Sequence, residues 1–238
     1  MKNKPKNTFR LYLLISAIMA FLAFGIVFYS VEYSKQQFAG NIFETSYAYR
    51  MHPFSHPDIE DLPYYGDIKA GVTFVAFTDT HSDASRHFAE EIYPLLKKDY
   101  FDSGTIKFYH KPYITVQDIE ERNSNFEASM ILGCVKKIKK EKYYDAYFDM
   151  LLKGASDARK IIYTYEIPIG SYNECMYSDE MLKELYKSAL EAEGLGIAGI
   201  NQRFYIGIAG KGNIILDGVQ QYGEFQQAIR QQEIKIGN

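Results

Sequence analysis

The chain has 238 residues, of which 27 are basic, 30 are acidic and 47% are hydrophobic, so it can bury a large core and lies outside the range of disordered proteins. Without the first ten residues, which hold four basic side chains and no acidic one, the net charge is −7. This balance argues against nucleic acid as a partner, because phosphate binding needs a basic surface.

The first predicted element is an apolar segment without charge at positions 11–29, long enough for a helix to cross a bilayer. Four basic residues, Lys2, Lys4, Lys6 and Arg10, precede it, and the first charge after it is Glu32. The positive-inside rule therefore predicts a cytoplasmic tail at 1–10, a transmembrane signal anchor at 11–30, and a remainder that is periplasmic or extracellular. The alternative is a cleaved signal peptide, but no A-x-A-like site follows the apolar run.

Residues 31–65 are predicted to form a tether, because they contain three X-Pro pairs and no sustained periodicity. We place the start of the folded domain at residue 66, so that it spans 66–238. Its first element is an apolar, β-branched strand at 72–77.

Apolar residues recur at helical spacing over 85–98, which predicts an amphipathic helix. Pro94 lies inside it and should kink or shorten it. A turn at 102–105 then leads to a second strand at 106–110. Together these elements predict a β-α-β unit whose two strands are parallel.

A long helical region follows at 124–191, with breaks near Gly154 and at 168–170. It belongs to a predicted helical insertion at about 118–191. Three further elements close the chain: a hairpin with strands at 203–208 and 213–218, and a final helix at 223–232. The order β-α-β, helical insertion, β-β-α predicts an α/β protein with the thioredoxin-like fold.

The two cysteines, Cys134 and Cys175, are the only ones in the chain. Outside the cytoplasm an even number of cysteines favours a disulfide over free thiols. We therefore predict a bridge between them; the alternative is two unrelated thiols buried as small hydrophobic side chains.

Three stretches resemble the DsbA-like branch of the thioredoxin superfamily. They are "GDIKAGVTFVAFTD", "RHFAEEIYPLLKKDYFDSGTIKFYHKPY" and "GLGIAGINQRFYIGIAGKGNIILDGVQQYGEFQQAI", which resemble the family's entry strand, its following helix and strand, and its closing segment. The similarity covers about residues 66–232 and lies in the order of these pieces. It implies a thioredoxin-like fold and a site at the junction between the first strand and helix.

In this family the junction carries Cys-x-x-Cys, and the helix start lowers the pKa of the first thiol so that its thiolate exchanges disulfides. Here the resemblance places Ser82-Asp83-Ala84-Ser85 at those positions, and Asn201 at the position of the family's cis-proline. A serine cannot form a mixed disulfide, and Asp83 adds a negative charge. The resemblance therefore implies a site that has lost redox catalysis.

The junction residues allow three other interpretations. Ser82 and Asp83 are ordinary helix caps. A hydrolase would use Ser82 or Ser85 with a histidine and an aspartate nearby, but a G-x-S-x-G elbow is missing. A metal site would use His81, Asp83 and His87, although the H-E-x-x-H pattern is missing. The hydrolytic candidates are the following: Ser82, Ser85, His81, His87, Asp79 and Asp83.

The stretch from Gly194 to Gly199 matches G-x-G-x-x-G. A dinucleotide site needs a strand before this motif and a helix after it, whereas here a helical segment precedes and a strand follows. We therefore expect a loop, and neither a nucleotide nor another cofactor.

The sequence thus leaves three functions open. We favour a binding module for a protein or extended peptide, anchored in a membrane, with a surface formed by Ser82, Asp83, Ser85, Ile200, Asn201 and Gln202. The alternatives are a thiol-disulfide oxidoreductase that uses Cys134 and Cys175, and a metal-binding or hydrolytic site at positions 79–87.

Overall fold

The computed structural model describes Met19, residues 56–154, 158–197, 199, 202–209 and 211–236. All of these except Met19 belong to one compact unit, residues 49–238. The predicted cytoplasmic tail, the transmembrane anchor apart from Met19, and most of the tether lie outside the described residues, as do Ile200 and Asn201. Within the described part of the chain, no helix has the length and apolar character that a bilayer span requires.

The centre of the domain is a mixed sheet of five strands. They are β1 (Tyr64–Tyr65), β2 (Val72–Thr78), β3 (Ile106–Pro112), β4 (Gln202–Ile208) and β5 (Gly212–Asp217). Their order is β1-β3-β2-β4-β5. Strands β2 and β3 are parallel, as predicted, and the other neighbouring pairs are antiparallel. The sheet and the helical insertion confirm the thioredoxin-like fold.

Strand β1 lies within the segment that we predicted to be tether. It pairs with β3 through Tyr64 opposite Tyr109 and Tyr65 opposite Phe108. The sheet therefore begins before residue 66, the boundary expected from the sequence.

Helices connect β2 to β3 and β3 to β4, and a last helix follows β5. The first, α1, is continuous from Asp83 and comprises Asp83–His87, Phe88–Ile92, Tyr93–Leu96 and Lys97–Phe101. The insertion holds α2 (Val116–Glu121), α3 (Ser124–Ile138), α4 (Tyr143–Lys153), α5 (Lys160–Thr164), α6 (Ile169–Met176) and α7 (Asp179–Gly194). The last helix is α8 (Tyr222–Ile236).

Pro94 does not shorten α1, which extends to Phe101. The segment before the proline, Phe88–Ile92, is π-helical, and the Tyr93 amide donates to the carbonyl of Phe88, five residues back. A proline has no amide hydrogen and crowds the carbonyl four residues before it. The wider π turn accommodates both effects. Of the two predicted outcomes, a kink or a shorter helix, the shorter helix is therefore not found.

Side chains alternate between the two faces of β2. Phe74 and Ala76 point to the front face, where they pack in the main core with Phe88 of α1 and Phe225 of α8. Val75 and Phe77 point to the rear face. There they form a second cluster with Tyr109, Ala192 and Tyr205, among others. The chain is thus apolar on both faces of its central strand, as expected for a strand in the middle of a sheet.

The disulfide Cys134–Cys175 is present, with a Cα–Cα distance of 5.8 Å, and joins α3 to α6 inside the insertion. This confirms the bridge predicted from the cysteine count. The predicted helix breaks near Gly154 and Pro168 are also found, but the insertion is further divided before Tyr143 and at Ser178. Ser178 caps α7 by accepting a hydrogen bond from the Met181 amide at 3.2 Å.

Candidate functional site

The junction between β2 and α1 is a tight turn made by residues 79–82. The Asp79 carboxylate accepts a hydrogen bond from the His81 amide at 2.8 Å, and the Asp79 carbonyl accepts one from the Ser82 amide at 3.2 Å. Such a side-chain contact to the amide two residues on is an Asx turn. It reverses the chain at the end of the strand and brings Ser82 to the start of the helix.

Ser82 is the N-cap of α1. Its backbone is extended (φ −83°, ψ 138°), and its Oγ accepts a hydrogen bond from the Ser85 amide at 3.0 Å. The same hydroxyl donates to Ser85 Oγ at 2.9 Å. Both side chains are buried, Ser85 completely. The capping interpretation of Ser82 is therefore confirmed, and the two hydroxyl groups satisfy each other and the helix end.

Asp83 occupies the first helical position, where a negative charge interacts favourably with the helix dipole. Its side chain is 99% exposed and lies 3.9 Å from Arg86. Of the residues that we assigned to a binding surface on α1, Asp83 alone therefore presents its side chain to solvent.

The structure does not assemble the hydrolytic arrangement. The Oγ of Ser82 contacts Ser85, and His81 Nδ1 lies 3.1 Å from Thr80 Oγ1 and 4.0 Å from Asp79 Oδ1. The Nε2 of His87 is buried and has no hydrogen-bond partner. Neither histidine is therefore placed as the general base of a described serine.

The metal interpretation finds no geometric support either. Within the described ranges, no three His, Cys, Asp or Glu side chains are close enough to hold an ion. His81, Asp83 and His87 are thus not brought together as ligands in this structure.

A polar network that the sequence did not predict connects the junction to the insertion. Thr80 Oγ1 donates to Asn125 Oδ1 at 3.2 Å, and Asn125 Nδ2 donates to the Tyr113 carbonyl at 3.1 Å. The Tyr113 hydroxyl in turn accepts from the Gly199 amide at 3.2 Å. Thr80 and Asn125 are buried, so the network fixes the turn between β2 and α1 relative to the loop before β4.

Gln202, the one described member of the expected facing loop, begins β4 directly opposite Thr78 of β2. Its side chain is buried and donates to the Gly218 carbonyl at 2.8 Å. Gln202 therefore holds the end of the hairpin and is not available to a ligand in this arrangement.

Beneath the junction lies a neutral cluster on the front face of the sheet. Thr78 Oγ1 and the Tyr147 hydroxyl are 2.9 Å apart, and the ring of His110 stacks on that of Tyr147 at 3.7 Å. His110 Nδ1 is hydrogen-bonded to the Tyr143 hydroxyl at 2.7 Å. Complete burial lowers the pKa of His110 well below its usual value, so the imidazole is neutral at neutral pH. Burial also raises the pKa of Asp79 at the turn above.

The cysteines lie in α3 and α6, far along the chain from the junction. Both side chains are buried, and neither cysteine is free. They lie among Ile114, Phe126 and Met130 in the core of the insertion. The bridge is therefore placed as a structural element that joins two helices.

The stretch from Gly194 to Gly199 begins at the last residue of α7 and precedes β4. This order, a helix before and a strand after, is the one expected from the sequence and is opposite to that of a dinucleotide-binding turn.

A protein-family model described as thioredoxin matches residues 59–234. Three solved structures illustrate the similarity of the fold. Wolbachia pipientis alpha-DsbA1 is 17% identical with a TM-score of 0.60, covering 75% of this chain and 94% of that one. Oxidised BdbD from Bacillus subtilis is 18% identical with a TM-score of 0.60, covering 75% and 96%. Chlamydia trachomatis DsbA is 16% identical with a TM-score of 0.60, covering 78% and 97%. No curated protein matches the chain.

Proposed function

The chain belongs to the thioredoxin family, and from this premise we propose that it is a DsbA-like protein that has lost thiol-disulfide exchange and binds protein or extended peptide outside the cytoplasm. The N-terminal apolar segment would hold it in the membrane as a single-pass protein with its N-terminus in the cytoplasm.

The observation that carries this proposal is that the junction holds no cysteine: a serine caps the helix there, and both cysteines of the chain are joined to each other inside the insertion. Disulfide exchange requires a thiolate that attacks an accessible sulfur. We assign Ser82-Asp83-Ala84-Ser85 to the positions of the family's Cys-x-x-Cys, where no such thiolate can form.

The alternative is an oxidoreductase that uses Cys134 and Cys175. It is disfavoured because the exposed fractions of these residues are 0% and 5%. Attack on this disulfide would require the insertion to open. The retained fold without accessible thiols is better explained by binding.

The proposed binding surface lies at the start of α1 and the loop before β4. Among its described residues, Asp83 has an exposed side chain. Ile200 and Asn201 are included on the basis of the sequence alone. The carboxylate of Asp83 disfavours an anionic ligand at this helix end, so we propose an extended polypeptide as the ligand.

The loss of catalysis is tested by insulin reduction and by oxidation of a reduced peptide. We expect no turnover above the uncatalysed rate. Turnover that disappears when Cys134 and Cys175 are both replaced by alanine would refute the proposal. The combined changes Ser82→Cys, Asp83→Pro, Ser85→Cys and Asn201→Pro should introduce exchange activity, because they restore a thiol at the helix start.

Binding is tested by crosslinking in the native membrane followed by purification. Wild type is compared with a double variant, Asp83→Lys with Asn201→Ala, which should lose its crosslinked partners. Glu90→Lys is a matched control, since it reverses an exposed charge on the same helix at a distance from the junction. An identical set of partners for all three proteins would contradict the proposed surface.

A further inference from the structure

The segment before β1, residues 56–63, crosses the rear face of the sheet; we call it the entry strap. Ile59 and Leu62 pack on the rear cluster that contains Phe77 and Tyr109. The Leu62 amide donates to the Ile59 carbonyl at 3.3 Å, so the two apolar side chains project from one turn. The strap is thus bound to the domain by its apolar side chains.

Its backbone is bound by a buried ion pair. Lys111 Nζ of β3 lies 2.5 Å from Glu191 Oε2 of α7, and their side chains are 6% and 2% exposed. Lys111 Nζ also donates to the Asp58 carbonyl at 2.5 Å, while Glu191 Oε1 accepts from the Asp58 amide at 2.7 Å. Both members of the pair therefore also hydrogen-bond the backbone of one strap residue.

This arrangement has the features of peptide recognition. A buried ion pair is stable only when additional hydrogen bonds satisfy it, and here the backbone of Asp58 supplies two of them. The side chain adds specificity, because the Asp58 carboxylate accepts from Lys187 Nζ at 2.8 Å. The next residue, Ile59, fills the apolar surface beside it.

The strap lies in a groove between β3 and the insertion and does not fill it. A cavity of about 240 Å³ remains between the strap and the insertion. It is lined by Lys111, Lys136, Lys187 and Ser129, among others, and the Ser129 hydroxyl is buried without a hydrogen-bond partner. Glu184 and Glu191 also line it, and they pair with Lys136 and Lys111. The strap carries three carboxylates and no lysine or arginine, and one of them, Asp58, meets the opposite charge of Lys187.

We propose that this groove is a second peptide-binding site, occupied in cis by the entry strap, and that in trans it takes an acidic segment in which an aspartate is followed by an aliphatic residue. The site is separate from the junction and does not depend on the proposed function. The strap and an external peptide compete for the groove. The apparent dissociation constant of the peptide is therefore the intrinsic constant divided by the fraction of protein whose groove is open. Weakening the strap therefore strengthens binding in trans.

The test uses the full-length protein in detergent and a fluorescent peptide with the strap sequence, His-Pro-Asp-Ile-Glu-Asp-Leu-Pro. Fluorescence anisotropy measures its dissociation constant for wild type and for the double variant Ile59→Ala with Leu62→Ala. We expect at least about tenfold tighter binding to the variant, because the competing strap has lost its apolar contacts. A second strap variant, Asp58→Ala, removes only the carboxylate contact and should bind a few-fold more tightly than wild type; it decides the question if the double variant does not fold.

Two controls give the test its meaning. A peptide whose first aspartate is replaced by lysine should bind neither protein. The junction variant Asp83→Lys with Asn201→Ala should bind the strap peptide as wild type does, which separates this site from the proposed function. Equal binding by wild type and both strap variants, or equal binding of the aspartate and lysine peptides, would overturn the proposal.

Discussion

Two neighbouring residues of β3, His110 and Lys111, carry titratable side chains into opposite faces of the same sheet. Both are buried. His110 is hydrogen-bonded to the Tyr143 hydroxyl, stacks on the ring of Tyr147 and is neutral. Lys111 forms an ion pair with Glu191. Burial lowers the pKa of Lys111 as well, but the adjacent carboxylate opposes this effect.

Burial removes both side chains from water, and the two faces of the strand compensate for this in different ways. On the front face, the group is uncharged and needs no partner of opposite charge. On the rear face, the charge is retained and requires Glu191 and the backbone of Asp58. The rear site therefore depends on residues that are far apart in the chain, and its stability is sensitive to the loss of either one.

The largest effect should come from breaking the rear pair. Glu191→Ala leaves Lys111 buried without a counter-charge, and we expect the free energy of unfolding to fall by about 3–5 kcal/mol. Urea denaturation followed by circular dichroism measures this. The double change Lys111→Met with Glu191→Leu should restore most of the loss, since it removes both charges together.

Glu184→Ala is the matched control for that comparison. It breaks the ion pair between Lys136 and the Glu184 carboxylate, and the Glu184 side chain is 42% exposed, so the loss of stability should be much smaller. A loss as large as that of Glu191→Ala would show that burial of the pair is not the cause.

The front face should respond to pH. The unfolded chain binds a proton at His110 below about pH 6.5, whereas the folded protein does not, because its pKa is well below that value. Stability is therefore lost as the pH falls below 6.5, by up to about 1.4 kcal/mol per pH unit from this residue. Urea denaturation at pH 7.5, 6.5 and 5.5 measures the slope.

His110→Phe sharpens this test, because phenylalanine keeps a ring against Tyr147 and removes the titration. The variant should lose the part of the pH dependence that His110 contributes. If wild type and variant lose stability equally between pH 6.5 and 5.5, another group is responsible.

The junction offers a third, smaller case in which polar groups are neutral and only locally paired. Ser82→Ala removes the N-cap hydroxyl and should reduce the free energy of unfolding by about 1 kcal/mol. Ser82→Asp should keep most of the stability, because aspartate is an equally good cap. The same denaturation experiment distinguishes them, and equal losses would show that the cap hydrogen bond contributes little.

The sequence predicted the features that depend on local pattern or on simple counting. Apolar runs located β2 and β3, the turn residues located the β4–β5 hairpin, and the even pair of cysteines predicted the bridge. The interpretation of Ser82 as a cap was also correct, since capping involves only the next three residues.

Features that depend on distant residues could not be predicted in this way. The partners of Asp58 come from positions 111, 187 and 191, and no local pattern connects them. The strap therefore resembled a tether, because its prolines and lack of periodicity carry no information about what lies beneath it. The network of Thr80, Asn125 and Tyr113 was missed for the same reason.

The topology of the sheet also determines the order in which its strands can pair during synthesis of the chain. Thr78 of β2 pairs with Gln202 of β4, so the central strand remains unpaired on that side until the whole insertion has been synthesised. Cys134 and Cys175 both precede β4. The insertion can therefore fold and bring its two cysteines together while the sheet is still open, and the completed insertion then holds the two halves of the fold near each other when the last hairpin arrives.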